Sequence, residues 1–146
     1  MYQETSREVL DFIKHSPSCF HAVHQLSRML DQAGYQRLKE CDGWTLEQGG
    51  KYYVTRNGSS IIAFHVGQQL DNYHFQITAS HSDSPSYKVK EKAELKGKGG
   101  YLQLNTEGYG GMICSSWLDR PLSLAGRVLV RQGNVVETRL LNIDRD

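Results

Sequence analysis

The stretch "KYYVTRNGSSIIAFHVG", residues 51 to 67, constrains what this chain can fold into more than any other. Two runs rich in β-branched and aromatic residues flank Asn57-Gly58. That dipeptide is the strongest short-range hairpin signal, because both residues tolerate the positive φ that a tight antiparallel turn demands. Two antiparallel strands are therefore expected here. What precedes them has a helical period. In "ETSREVLDFIKHS", Val9, Leu10, Phe12 and Ile13 fall on one helical stripe, and Thr5 with Glu8 has capping-box spacing. In "SPSCFHAVHQLSRMLDQAGY", Ser18 can cap a second helix over Phe20, Val23, Leu26 and Leu30, and Gly34 stands where a left-handed C-terminal cap belongs. After the hairpin, "YHFQITASHSD" alternates Phe75, Ile77 and Ala79, which predicts a strand with His81 at or just beyond its C-terminal end. In α/β sheets that edge is where ligands bind. "AGRVLVRQGNVVETRLL" predicts a second hairpin around Gly133-Asn134. The chain then reaches "NIDRD" without an obvious closing element. Two helices, a mixed sheet and a β-rich remainder make the expected class α/β.

Composition excludes several roles. Seventeen lysines and arginines against 16 aspartates and glutamates give no bulk field that would attract nucleic acid or an anionic membrane. Lys88, Lys90, Lys92, Lys96 and Lys98 form a basic run, but Glu91 and Glu94 interrupt it and no aromatic platform is interleaved, so a solvated face is the better reading. No apolar run approaches the roughly 20 residues that span a bilayer. Residues 1 to 16 lack the basic start and apolar centre of a signal peptide, which points to a cytoplasmic location. The three cysteines, Cys19, Cys41 and Cys114, have no C-x-x-C spacing and read as free thiols of a reducing compartment.

The polar cluster "ASHSDSPSYKVK" holds the most suggestive chemistry, with His81 and Asp83 two positions apart. An imidazole that binds zinc through one nitrogen usually donates its other N–H to an oxygen, which fixes its tautomer and orientation. An aspartate two residues on, on the same face of an extended segment, can be that partner or can stand beside the metal. Taken alone, such a pair is more often surface polar residues or a turn than a metal site. His21 and His24, three apart on the second helix, share the spacing of a metal pair but lack a third partner. A Ser-His-Asp hydrolase fits poorly, since no G-x-S-x-G elbow is present. "GKGGYLQLNTEGYGG" has neither the P-loop order nor a Rossmann context, so nucleotide binding is not expected.

"SHSDSPSYKVK" combined with "TEGYGGMICSSWLDRPLSLAGRV" at this spacing resembles the aspartyl aminopeptidase family, zinc-dependent cytosolic exopeptidases acting preferentially on acidic N-terminal residues. "SPSCFHAV" and "GKGGYLQLN" add to the likeness. The resemblance implies that His81 is a ligand of a two-zinc centre, with manganese or cobalt also suited to such donors. It implies that Asp83 is a catalytic-site carboxylate orienting His81, both being held by a Ser84-Pro85 turn. Residues 1–90 would belong to the catalytic domain. Residues 91–146 would open an inserted dimerisation domain, with Tyr109, Gly110, Gly111, Trp117, Asp119 and Arg120 near its start. Asp119 is expected in an ion pair with Arg120, and the cation that an acidic substrate needs could be Arg120, Arg127 or a residue beyond Asp146. Peptide substrates and other copies of the chain are the implied partners.

Members of that family are longer, and the general base and the remaining ligands lie in segments with no counterpart here. A catalytic zinc needs about three protein ligands. The 146 residues are therefore expected to be an N-terminal fragment, inactive alone. The alternative is a non-catalytic oligomerisation module retaining only the family's association surface.

Overall fold

In this computed structural model the structure describes residues 2–72 and 74–143. The chain separates into two units, Met1–Asp83 with Ser123–Asp146, and Ser84–Leu122.

The first unit is organised by β2 (Lys51–Arg56), the middle strand of a three-stranded sheet. Its aromatic and β-branched side chains suit a half-buried pleated surface, and Tyr52, Tyr53 and Val54 are all buried. β3 (Ser60–His65) pairs with it antiparallel, from Arg56 opposite Ser60 to Lys51 opposite His65. Asn57 and Gly58 take φ of 55° and 65°, and the Ser59 amide closes the turn onto Arg56 O at 3.1 Å, so the expected hairpin forms with the positive-φ geometry its dipeptide favours. The other neighbour, β1 (Gln36–Leu38), runs parallel to β2. Trp44 and Tyr52 each lie against the Phe64 ring, at centroid distances of 6.1 and 5.6 Å.

Helix α2 (Cys19–Gln32) packs on this sheet and buries Ala22 and Val23. Ser18 caps it, its hydroxyl oxygen accepting the His21 amide. The helix ends as its sequence predicts: Gly34 has φ of 78°, its amide donates to Asp31 O at 3.1 Å, and the Tyr35 amide donates to Leu30 O at 2.9 Å. These are the paired bonds of a Schellman cap. Helix α1 (Tyr2–Lys14) begins earlier than its sequence suggests, so Thr5 lies inside it and does not serve as the N-cap. Tyr2, Gln3 and Glu4 simply continue the helical turn. Val9, Leu10 and Ile13 of its apolar stripe remain exposed. β6 (Leu124–Gln132) and β7 (Val135–Ile143) form the second expected hairpin, with Gly133 at φ 60° in the two-residue loop.

The second unit is built on β4 (Ser86–Lys96) and β5 (Leu102–Tyr109), an antiparallel pair whose register shifts between Val89 and Glu94. The Asn105 side-chain amide donates to Lys92 O at 3.0 Å, satisfying a carbonyl within that irregularity. A 3-10 turn at Cys114–Trp117 brings the Trp117 ring edge-on to Tyr87, 5.4 Å between centroids.

The strand expected at 73–81 is not formed. Residues 74–80 have no regular structure and belong to no ladder, Phe75 and Ile77 are each 81% exposed, and Tyr73 lies outside the described residues. An alternating apolar segment becomes a strand only when neighbours accept its backbone hydrogen bonds and cover one face. Among the described residues no strand pairs with it. The end of the chain expected to lack a closing element, residues 144–146, also lies outside the described residues.

Candidate functional site

His81 and Asp83 sit on the irregular segment that follows, and the structure brings them together. Nδ1 of His81 lies 2.8 Å from the Asp83 carbonyl oxygen and 3.2 Å from Asp83 Oδ1. Both partners can only accept, so Nδ1 carries the proton and, in the neutral ring, Nε2 keeps its lone pair. The His81 side chain is 80% exposed. The result is an imidazole locked in one tautomer, presenting Nε2 outward, which is the preparation a metal-binding histidine receives from its oxygen partner.

The bend that lets Asp83 fold back onto His81 is centred on Ser82, and neither Ser84 nor Pro85 forms a turn, in contrast to the turn the sequence suggests. Ser82 is half-buried and its hydroxyl donates to Ser59 O at 2.8 Å, across 23 residues to the β2–β3 turn. Sequence reasoning missed this tie, because the acceptor is a backbone carbonyl and no residue type announces it.

The donor set tests whether a metal fits. His81 with Asp83 fits one ligand and its orienting group. Among the described residues no group of three histidine, cysteine, aspartate or glutamate side chains could hold an ion, so these residues supply part of a centre only. His21 has Nδ1 2.8 Å from Ser18 Oγ in the helix cap. Burial, with the neighbouring His24 charge second, lowers its pKa below the ordinary 6.5. Both effects disfavour the imidazolium.

The candidate cations Arg120 and Arg127 each donate to a backbone carbonyl. Arg127 donates through Nη1 to Asn57 O at 2.6 Å, and its guanidinium carbon lies 4.3 Å from the Phe20 ring centroid. That head is engaged in holding β6 to α2 and the hairpin turn. Arg120 donates to Ser116 O at 3.4 Å, and among the described residues it makes no ion pair with Asp119. Asp119 has a φ of 53°, a left-handed backbone that aspartate tolerates better than most residues.

Comparison with known proteins places the chain in a class. The chain superposes on part of each of several solved structures. A chain in a structure titled as the Ape4 and Nbr1 complex matches with a TM-score of 0.90 and 43% identity over 94% of this chain and 27% of that one. The mApe1 of Chaetomium thermophilum matches at 0.84 and 35%, over 97% of this chain and 33% of that one. A structure described as the S. cerevisiae mApe1 dodecamer matches at 0.82 and 28%, over 97% and 34%. The profile of the family described as aminopeptidase I zinc metalloprotease (M18) matches residues 12–146, and the chain belongs to that family. Proteins named as probable M18 family aminopeptidase 2 from Clostridium novyi (strain NT) and Pseudomonas paraeruginosa (strain DSM 24068 / PA7) are 44% and 46% identical over 143 residues. These matches cover 96% and 97% of this chain, which spans about a third of the length of those relatives, 33% in each case.

Proposed function

We propose that this chain is the N-terminal part of a metallo-aminopeptidase that removes N-terminal, preferably acidic, residues from peptides with a two-metal centre. His81 is one metal ligand through Nε2, and Asp83 is the carboxylate that orients it. The observation that carries the reading is the bifurcated hydrogen bond from Nδ1 of the exposed His81 to Asp83, which leaves Nε2 with its lone pair in a chain of the M18 family. Zinc, when bound, would polarise a carbonyl and acidify a water. The remaining ligands and the proton-transferring residue would come from polypeptide corresponding to the other two-thirds of the relatives. Cytoplasmic location, homo-oligomeric assembly and the division into a catalytic domain over 1–90 and an inserted dimerisation domain from 91 belong to the same proposal. Support for assembly comes from the S. cerevisiae relative, described as a dodecamer.

The deciding experiment is His81→Ala in the protein extended to the length of its relatives, with zinc content and hydrolysis of an aspartyl or glutamyl anilide measured on one sample. Both are expected to fall together. Unchanged metal and turnover would sink the assignment.

The second reading, a non-catalytic association module, is favoured by the apolar exposure of the β6–β7 hairpin, where Leu129 is 70% and Val135 59% exposed. Sedimentation of the 146-residue chain in the presence of a chelator separates the two. A stable oligomer without metal supports the module.

A further inference from the structure

The Ser59–Ser82 contact gives the β2–β3 turn a role beyond reversing the chain. Because Arg56 pairs with Ser60, Asn57, Gly58 and Ser59 all lie in the loop, outside the strand ladder. Two carbonyls of that loop accept side-chain donors from far along the sequence: Asn57 O from Arg127 at 2.6 Å, and Ser59 O from Ser82 at 2.8 Å. The turn is held in a geometry that only residues tolerant of positive φ supply, so its carbonyl directions are set by the backbone. Ser82, by contrast, belongs to a stretch from 74 to 85 with no ladder of its own. It also lies between the donor and the acceptor of the His81–Asp83 contact. Fixing the apex of that bend fixes where Asp83 O and Oδ1 stand relative to His81 Nδ1.

We propose that Ser82 is the positioning residue of the His81–Asp83 pair, anchoring their bend to the β2–β3 turn through Ser59 O, so that His81 is oriented before any metal arrives. The inference rests on reading His81 as a metal ligand, but its test needs no metal. The chain is prepared metal-free as wild type, Ser82→Val and Ser82→Thr. The His81 ring nitrogens are followed by NMR, together with amide exchange at residues 82 and 83. Valine keeps the volume near that of threonine and removes the hydroxyl, whereas threonine keeps it. A lost hydrogen bond of ordinary strength corresponds to about a two- to tenfold change in an equilibrium. In Ser82→Val the Nδ1–H tautomer is expected to lose its excess over Nε2–H by about that factor, and amide protection to fall with it. Ser82→Thr is expected to restore both. Matched unfolding midpoints in the variants show that the change is local. A wild-type ring spectrum and wild-type protection in Ser82→Val would overturn the proposal, as would a threonine variant that behaves like valine. Failure of the metal reading shows elsewhere, as unchanged zinc content in the extended His81→Ala protein. A tautomer that depends on Ser82 stands in either case.

Discussion

The guanidinium of Arg127 lies 4.3 Å from the centroid of the Phe20 ring while its Nη1 donates to Asn57 O at 2.6 Å. One side chain thereby joins β6, helix α2 and the β2–β3 turn, three elements that no continuous sheet connects. An exposed cation–π contact contributes about 0.5–1 kcal/mol, and a hydrogen bond about 0.5–1.5 kcal/mol. Arg127→Ala is expected to lower stability by roughly 1–2 kcal/mol in urea unfolding. Arg127→Lys should recover only part of it, since an ammonium lacks the planar fork that stacks and donates at once. A double-mutant cycle with Phe20→Leu should show coupling of about 0.5–1 kcal/mol. Additive effects would mean that the stack contributes nothing.

Tyr53 is the most deeply buried large side chain of the core, and its hydroxyl donates to Asp31 Oδ1 at 2.8 Å, tying β2 to the last turn of α2. Tyr53→Phe preserves the ring and leaves the carboxylate without that donor, and is expected to cost about 1–2 kcal/mol. Burial first, then the hydrogen bond and charge of Asp31, raise the phenol above its ordinary 10.0. Above that value the unfolded chain loses this proton before the folded one. The stability tied to the neutral phenol is thus complete below about pH 10 and is lost as pH rises through the folded value. Alkaline unfolding of Tyr53→Phe should lack this contribution, so its midpoint should change less than that of wild type over the same range.

What was legible in the sequence is local. Asn57-Gly58 set its hairpin because the backbone preference of two residues suffices. Ser18 and Gly34 marked both ends of α2 for the same reason, each acting through its own short-range geometry. The apolar alternation of Phe75, Ile77 and Ala79 failed as a guide, since it states which face a strand would bury and says nothing of whether a partner exists. The parallel pairing of β1 with β2 was equally silent, three residues being too few for a periodic signal. In the site, two-residue spacing anticipated the His81–Asp83 contact. The Ser82 anchor and the Arg127 bridge both end on carbonyl oxygens, which every residue carries and no sequence pattern distinguishes.

His21 should make stability sensitive to mild acid. It occupies the first turn of α2, where its Nδ1 faces Ser18 Oγ and where a positive charge meets the positive end of the helix dipole. Burial and His24 lower its pKa below 6.5. Below that value the unfolded chain takes up the proton first, so stability present above about pH 6.5 is lost as pH falls through the folded value. His21→Gln is expected to flatten this loss. Urea midpoints at about pH 7.5 and about pH 5.5 test it, the difference being smaller in the variant. An unchanged difference would assign the acid sensitivity to other groups.

Metal removal separates the orientation of His81 from the assembly of a centre. In the 146-residue chain the His81 imidazole is exposed, and the described residues offer no cluster of three donors that could hold an ion with it. Zinc held by one imidazole exchanges with solvent, because the closed or nearly closed shell of three or four protein ligands is what makes such sites tight. Dialysis against chelator is therefore expected to leave the melting temperature of this chain unchanged, and elemental analysis should find far less than one zinc per chain. In the protein extended to the length of its relatives the same treatment should abolish activity and lower the melting temperature, since a ligand that binds only the folded state stabilises it by mass action. Asp83→Asn there should keep the fold while weakening metal retention about 10- to 100-fold, the usual loss when the oxygen partner of a ligating histidine is impaired. Part of that loss is expected to be spared, because the Asp83 backbone carbonyl, 2.8 Å from Nδ1, survives the substitution and continues to hold the tautomer. Stoichiometric zinc in the 146-residue chain would show instead that donors outside the His81–Asp83 pair complete a site within it.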